Sequence, residues 1–185
     1  AALDVVVPVM QALIAAHDVG ILHRDVKPAN IFLAQAPDGA VTPKLIDFGV
    51  ARGVDPSVAK HLTMTGAVVG TPLYMPPEQV RGDKDIDGRV DVWAIGVVLF
   101  ELIASEPPFG SANAIAVLGK VLLEPVPELA ALRPGLPSAL YDLVESLLEK
   151  SVELRGDDAQ ALAARLDALL RDEDSVLRVT RAYAP

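Results

Sequence analysis

Apolar residues recur at helical spacing from Leu3 through Val6, Val7, Met10, Leu13 and Ile14, which predicts a helix over residues 3–18. Gly20 follows as its stop. Residues 21–30 carry charges and Pro28, so they read as a loop. Ile31, Phe32 and Leu33 form a short apolar strand candidate. Pro37, Asp38 and Gly39 signal a turn, after which residues 41–46 can return as a second strand. Such a hairpin would bring Asn30 and Asp47 together at one end, two metal-competent side chains facing one space. Residues 49–78 show no clean period and contain Gly53, Pro56, Gly66, Gly70, Pro72, Pro76 and Pro77. A loop of that length in a compact domain points to function or disorder.

Residues 90–104 are strongly apolar and predict a helix stopped by Pro107 and Pro108. Its run from Val92 to Phe100 is nine residues long and lies between Asp91 and Glu101. Spanning a bilayer needs roughly 20, so a buried core helix is the reading. A third helix is expected over 113–123, followed by a proline-broken stretch at 125–137. A fourth runs from Pro137–Ser138 to about Glu149, with Ser138 as N-cap. A fifth covers 157–170, with acidic residues in its first turn as the helix dipole favours. Residues 172–185 read as a polar tail.

The composition is that of a globular domain. The chain has 185 residues, 51% hydrophobic and 22% charged, one domain's worth of length. Aromatics make up only 4%, so Val, Leu, Ile and Ala must build the core. A net charge of −9 counts against nucleic acid or an anionic membrane surface as a general partner. The absence of cysteine excludes disulfides and thiolate metal sites, and is compatible with a reducing compartment. No basic stretch followed by an apolar run marks a signal peptide at the start.

Three motifs carry chemistry. His23-Arg24-Asp25-Val26-Lys27-Pro28-Ala29-Asn30 fits the pattern H-R-D-x-x-x-x-N. Asp47-Phe48-Gly49 follows as D-F-G, and Pro76-Pro77-Glu78 stands where A-P-E is expected. One alone would be weak; three in order at workable spacing are specific. The chain resembles the Hanks-type serine/threonine protein kinases, most closely the bacterial ones, from about residue 3 to about residue 170. The resemblance implies a protein kinase-like α+β fold, of which this chain is the mainly α-helical C-terminal lobe with a short β-hairpin. The expected division is a C-lobe over 1–171 and the polar tail over 172–185.

The resemblance also implies roles. Phosphoryl transfer requires a hydroxyl placed in line with the γ-phosphate and neutralisation of the charge there. Asp25 would be the catalytic base. Asn30 and Asp47 would hold magnesium, which prefers oxygen ligands. Lys27 would contact the γ-phosphate of ATP and marks serine/threonine specificity, while Phe32 and Ile46 would form the apolar floor under the adenine. Arg24 would pair with a phosphorylated threonine, and Thr63 and Thr65 are the candidate phosphosites. Thr71 would hydrogen-bond the catalytic Asp. Glu78 and Arg155 resemble a buried ion pair, Asp91 should accept backbone hydrogen bonds from the catalytic loop, and Trp93 should pack. His23 is expected to be structural, beside Phe48; His17 and His61 read as ordinary helix and loop residues. Pro76 for Ala in the third motif and Gly156 for the usual Pro after the arginine are mild departures.

No G-x-G-x-x-G occurs in the 185 residues. The first residue is Ala rather than Met, and the chain opens in the helix that leads into the catalytic loop. The expectation is therefore an enzyme fragment whose N-terminal lobe is missing: inactive alone, with apolar surface exposed around Phe32, Ile46 and Phe48. The parent would phosphorylate protein serine or threonine with ATP and magnesium. It would act in the cytoplasm and could be membrane-anchored, although no membrane segment is indicated within this chain. The alternative is a non-catalytic C-lobe that binds a partner.

Overall fold

The structure is a computed structural model and describes residues 2–48, 72–156 and 158–171. Helix α1 (Ala2–His17) is followed by a 3₁₀ turn (Pro28–Asn30) and strands β1 (Ile31–Gln35) and β2 (Val41–Leu45). After a second 3₁₀ turn (Pro72–Tyr74) come α2 (Pro77–Arg81), α3 (Arg89–Ala104), α4 (Ala114–Leu123), α5 (Leu129–Leu132), α6 (Ser138–Leu147), α7 (Val152–Arg155) and α8 (Ala159–Arg171). The two strands pair antiparallel, with Ile31 opposite Leu45 and Gln35 opposite Val41.

Helix α3 is the centre of the domain. A helix apolar on all sides belongs inside a protein, and every residue from Val90 to Phe100 is buried. Helices α1, α5, α6 and α8 pack against it. Fully burying a Leu, Val or Phe side chain contributes roughly 1.5–3 kcal/mol, so α3 is the main hydrophobic anchor. Gly96 permits a close approach: a Cβ there would stand 2.8 Å from Leu147 Cβ on α6. Helix α1 lies across α8, β2 and α3, burying Val6, Val9, Met10 and Leu13. It thereby ties the hairpin to the helical body.

Several boundaries differ from the sequence expectation, each for a local reason. Ser138 is the first residue of α6 rather than its N-cap; Pro137 holds the cap position and no side chain caps there. Helix α8 starts at Ala159, and Asp158 stands before it, accepting from the amide of Ala161 at 2.8 Å. Asn113 likewise caps α4 by accepting from Ile115 at 2.8 Å. The stretches at 125–137 and 72–78 are not wholly irregular, since Leu129–Leu132 and Pro77–Arg81 are helical. Pro77 suits the first turn of a helix, where its missing N–H leaves no bond unmade. Among the described residues, no helix is long and apolar enough to cross a membrane.

Candidate active site

The site is built at the open end of the hairpin. Residues 21–30 run from α1 to β1, and their shape is set by one buried carboxylate. Asp91, fully buried in the first turn of α3, accepts from the Arg24 amide at 2.7 Å and the His23 amide at 2.9 Å. A third partner, His17 Nε2, lies 2.8 Å from Asp91 Oδ2. Arg24 has φ 62°, in the left-handed region. Such a backbone is costly for a non-glycine residue and persists only where its surroundings fix it. The bond from its own amide to Asp91 is one such fixing contact.

The turn made at Arg24 presents Asp25. Its carboxylate receives Lys27 Nζ at 2.7 and 3.0 Å. The Asn30 amide nitrogen donates to Asp25 Oδ2 at 3.1 Å and to the Asp25 carbonyl at 2.8 Å. Asn30 is buried, and spending its nitrogen on Asp25 leaves its side-chain oxygen as the acceptor. Across the hairpin, the Ile46 amide donates to the Asn30 carbonyl at 2.9 Å. His23 Nε2 lies 3.0 Å from the Ile46 carbonyl. Asp47 is the next residue, exposed and also left-handed at φ 57°. Among the described residues nothing pairs with its carboxylate. Asp25, Lys27, Asn30 and Asp47 are thus gathered by backbone bonds at one end of one hairpin.

Phe32 and Ile46 are exposed, at 57% and 40%. Phe48 departs from the expected exposure: it is half-buried and packs on His23 with ring centroids 4.7 Å apart. Arg24 Nε is buried without a hydrogen-bond partner among the described residues. Thr63, Thr65 and Thr71, like His61 and Gly49, lie outside the described residues.

A profile of the protein kinase domain matches residues 1–165. The chain belongs to the protein kinase family. It is 39% identical over 178 residues to serine/threonine-protein kinase PknL of Mycobacterium tuberculosis, covering 96% of this chain and 42% of that protein. It is 39% identical over 186 residues to probable serine/threonine-protein kinase PknB of Corynebacterium glutamicum, covering 98% of this chain and 28% of that protein. A third relative, serine/threonine-protein kinase PknB of Mycobacterium tuberculosis, is 40% identical over 166 residues, covering 89% of this chain and 25% of that protein. The chain therefore spans less than half the length of these curated relatives. The family also carries the protein kinase fold, here mostly helical with a two-stranded antiparallel sheet.

Away from the Asp25 end, the chain holds a buried ion pair. Arg155 binds both oxygens of Glu78, at 2.7 and 3.1 Å, and both side chains are almost fully buried. Arg155 also donates to the carbonyls of Arg89 and Glu149, at 2.9 and 3.0 Å, and its guanidinium lies 5.0 Å from the Trp93 ring centre. Trp93 stacks on Phe109 at 5.9 Å.

Two contacts had no counterpart in the sequence reading. His17, expected to be an ordinary helix residue, is a ligand of Asp91. Tyr74 donates its hydroxyl proton to Glu101 at 2.7 Å; burial first, then this bond to Glu101, push its phenol well above the ordinary range. A single sequence offers no signal for either, because the partners are 74 and 27 residues apart.

Proposed function

We propose that this chain is the C-terminal lobe of a serine/threonine protein kinase and supplies the catalytic half of its active site. The observation that carries the reading is the convergence of Lys27 and Asn30 on the carboxylate of Asp25. Asp25 would accept the proton of a serine or threonine hydroxyl on a protein substrate and orient its oxygen for attack. Lys27 would leave Asp25 for the γ-phosphate and offset its charge. Thr71 would hydrogen-bond Asp25, and Arg24 would take a phosphate carried by Thr63 or Thr65.

The donor set fits magnesium. Among the described residues the side-chain oxygen of Asn30 and the carboxylate of Asp47 have no partner, and magnesium typically takes one or two protein oxygens and completes its shell with water and phosphate. When bound, ATP and magnesium would supply the phosphoryl group and offset its charge. The exposed Phe32 and Ile46 would lie under the adenine.

A kinase also needs a glycine-rich loop and a strand lysine over the phosphates. The 185 residues contain no such loop, so the other half of the nucleotide clamp would come from an N-terminal lobe outside them. The reaction would take place in the cytoplasm, whether or not the parent polypeptide is membrane-anchored. The test uses labelled ATP, magnesium and a generic protein substrate. The full-length polypeptide should transfer phosphate, and Asp25→Asn should lower the rate by about 10²–10⁴-fold. The 185-residue chain alone should be inactive; robust Asp25-dependent transfer by it would overturn the two-lobe reading.

A further inference from the structure

On the helical body, away from the Asp25 end of the hairpin, a cavity of about 260 Å³ opens between α3, α5 and α6. Its floor is apolar: Phe100, Leu129 and Val144 are each buried. Tyr141 contributes its ring, because its hydroxyl is already spent, donating to the Arg133 carbonyl at 2.6 Å and accepting from the Leu136 amide at 2.9 Å. The polar character of the cavity therefore comes from Glu128 and Glu145, both exposed and both lining it. Among the described residues neither carboxylate has a hydrogen-bond or ion-pair partner, and no basic side chain lines the cavity.

We infer that this cavity is a docking site for an arginine side chain presented by a protein partner. The charge pattern selects a cation, since two unneutralised carboxylates flank an otherwise apolar wall. The shape of the chemistry selects arginine. Its methylene stem covers apolar surface while its head stays at the wet rim. Its planar guanidinium binds carboxylates with two donors and stacks on an aromatic face such as Tyr141. A second copy of this chain is a poor occupant, because two molecules each carrying a net charge of −9 repel one another. The site is separate from the catalytic reading, which can fail without affecting it.

The test is fluorescence anisotropy with the full-length polypeptide and a labelled, end-capped hexapeptide bearing one arginine between leucines. A control peptide carries citrulline, which has the same shape without the charge. The arginine peptide should bind about ten-fold or more tighter than the citrulline peptide, and the difference should shrink as salt rises. Glu128→Gln with Glu145→Gln should abolish the preference. Ala130→Trp, at an exposed position on the cavity wall, should block both peptides. Equal binding of the two peptides, or binding unaffected by these three substitutions, overturns the proposal. Equal occupancy by free butylguanidine would assign the site to a small cation instead, and self-association abolished by the Glu variants would assign it to a second copy. Either result overturns the choice of occupant.

Discussion

His17 Nε2 stands 2.8 Å from Asp91 Oδ2, joining the last residue of α1 to the carboxylate that also holds the His23 and Arg24 amides. An ionised carboxylate only accepts, so the imidazole donates through Nε2. The end of α1, the start of α3 and the loop that presents Asp25 are thereby bonded through one side chain. His17→Leu removes a donor from a fully buried acceptor, which costs about 1–3 kcal/mol. His17→Gln can place an amide nitrogen near the same point and should recover most of that loss. Urea denaturation of both variants measures the difference; equal destabilisation would mean that only packing matters at residue 17.

The Glu78–Arg155 pair should be the costliest polar contact to break. Removing one side of a buried pair leaves an uncompensated charge and costs roughly 3–5 kcal/mol. Arg155→Ala should exceed Glu78→Ala, because Arg155 also binds the Arg89 and Glu149 carbonyls and covers Trp93. Trp93 is the only tryptophan in the chain, so its fluorescence reports the loss directly during unfolding.

Gly96→Ala should destabilise the protein although alanine is the better helix former. The added Cβ would meet Leu147 Cβ at 2.8 Å and Leu148 Cδ2 at 3.1 Å. Overpacking of this kind costs about 1–3 kcal/mol, against a propensity gain of about 1 kcal/mol. A higher melting temperature for the variant would show that α3 and α6 can separate without penalty.

Tyr74 gives a stability term with a defined pH window. Its phenol is held above its ordinary value of 10.0 in the folded state, by burial and then by the Glu101 bond. The unfolded chain ionises first as pH rises, so the Tyr74 contribution is complete below about pH 10 and declines above it. Tyr74→Phe should cost about 1 kcal/mol at neutral pH, and the gap between variant and parent should narrow above pH 10. Denaturation midpoints of the two proteins at pH 7 and at pH 10.5 check the sign.

The sequence was sufficient for whatever local rules and short motifs encode. Helical periodicity revealed α1, the unbroken apolar run revealed α3 as a core helix, and the Pro-Asp-Gly turn between two short apolar runs revealed the hairpin. The order of the H-R-D, D-F-G and P-P-E motifs identified the protein kinase family, because their residues are close together within each motif. Cap positions were less legible: Ser138 and Asp158 are both competent caps, and only the path of the backbone decided that Asp158 caps a helix while Ser138 begins one.

Tertiary structure alone decided which distant groups meet. Nothing about His17 distinguishes it from another polar residue at a helix end until α1 crosses the start of α3. Tyr74 and Glu101 become partners only when the 3₁₀ turn packs on α3. The Phe48–His23 contact was expected from the family resemblance, but the half-burial of Phe48, against the exposure of Phe32, is set by the packing of that ring on His23. The cavity beside Phe100 exists only because α5 and α6 stand apart over α3, with Glu128 and Glu145 brought to its rim from different elements. Local sequence sets where each backbone can bend and which face is apolar. Contacts between residues far apart in the chain follow from the packing of those faces, and that packing is a property of the whole chain.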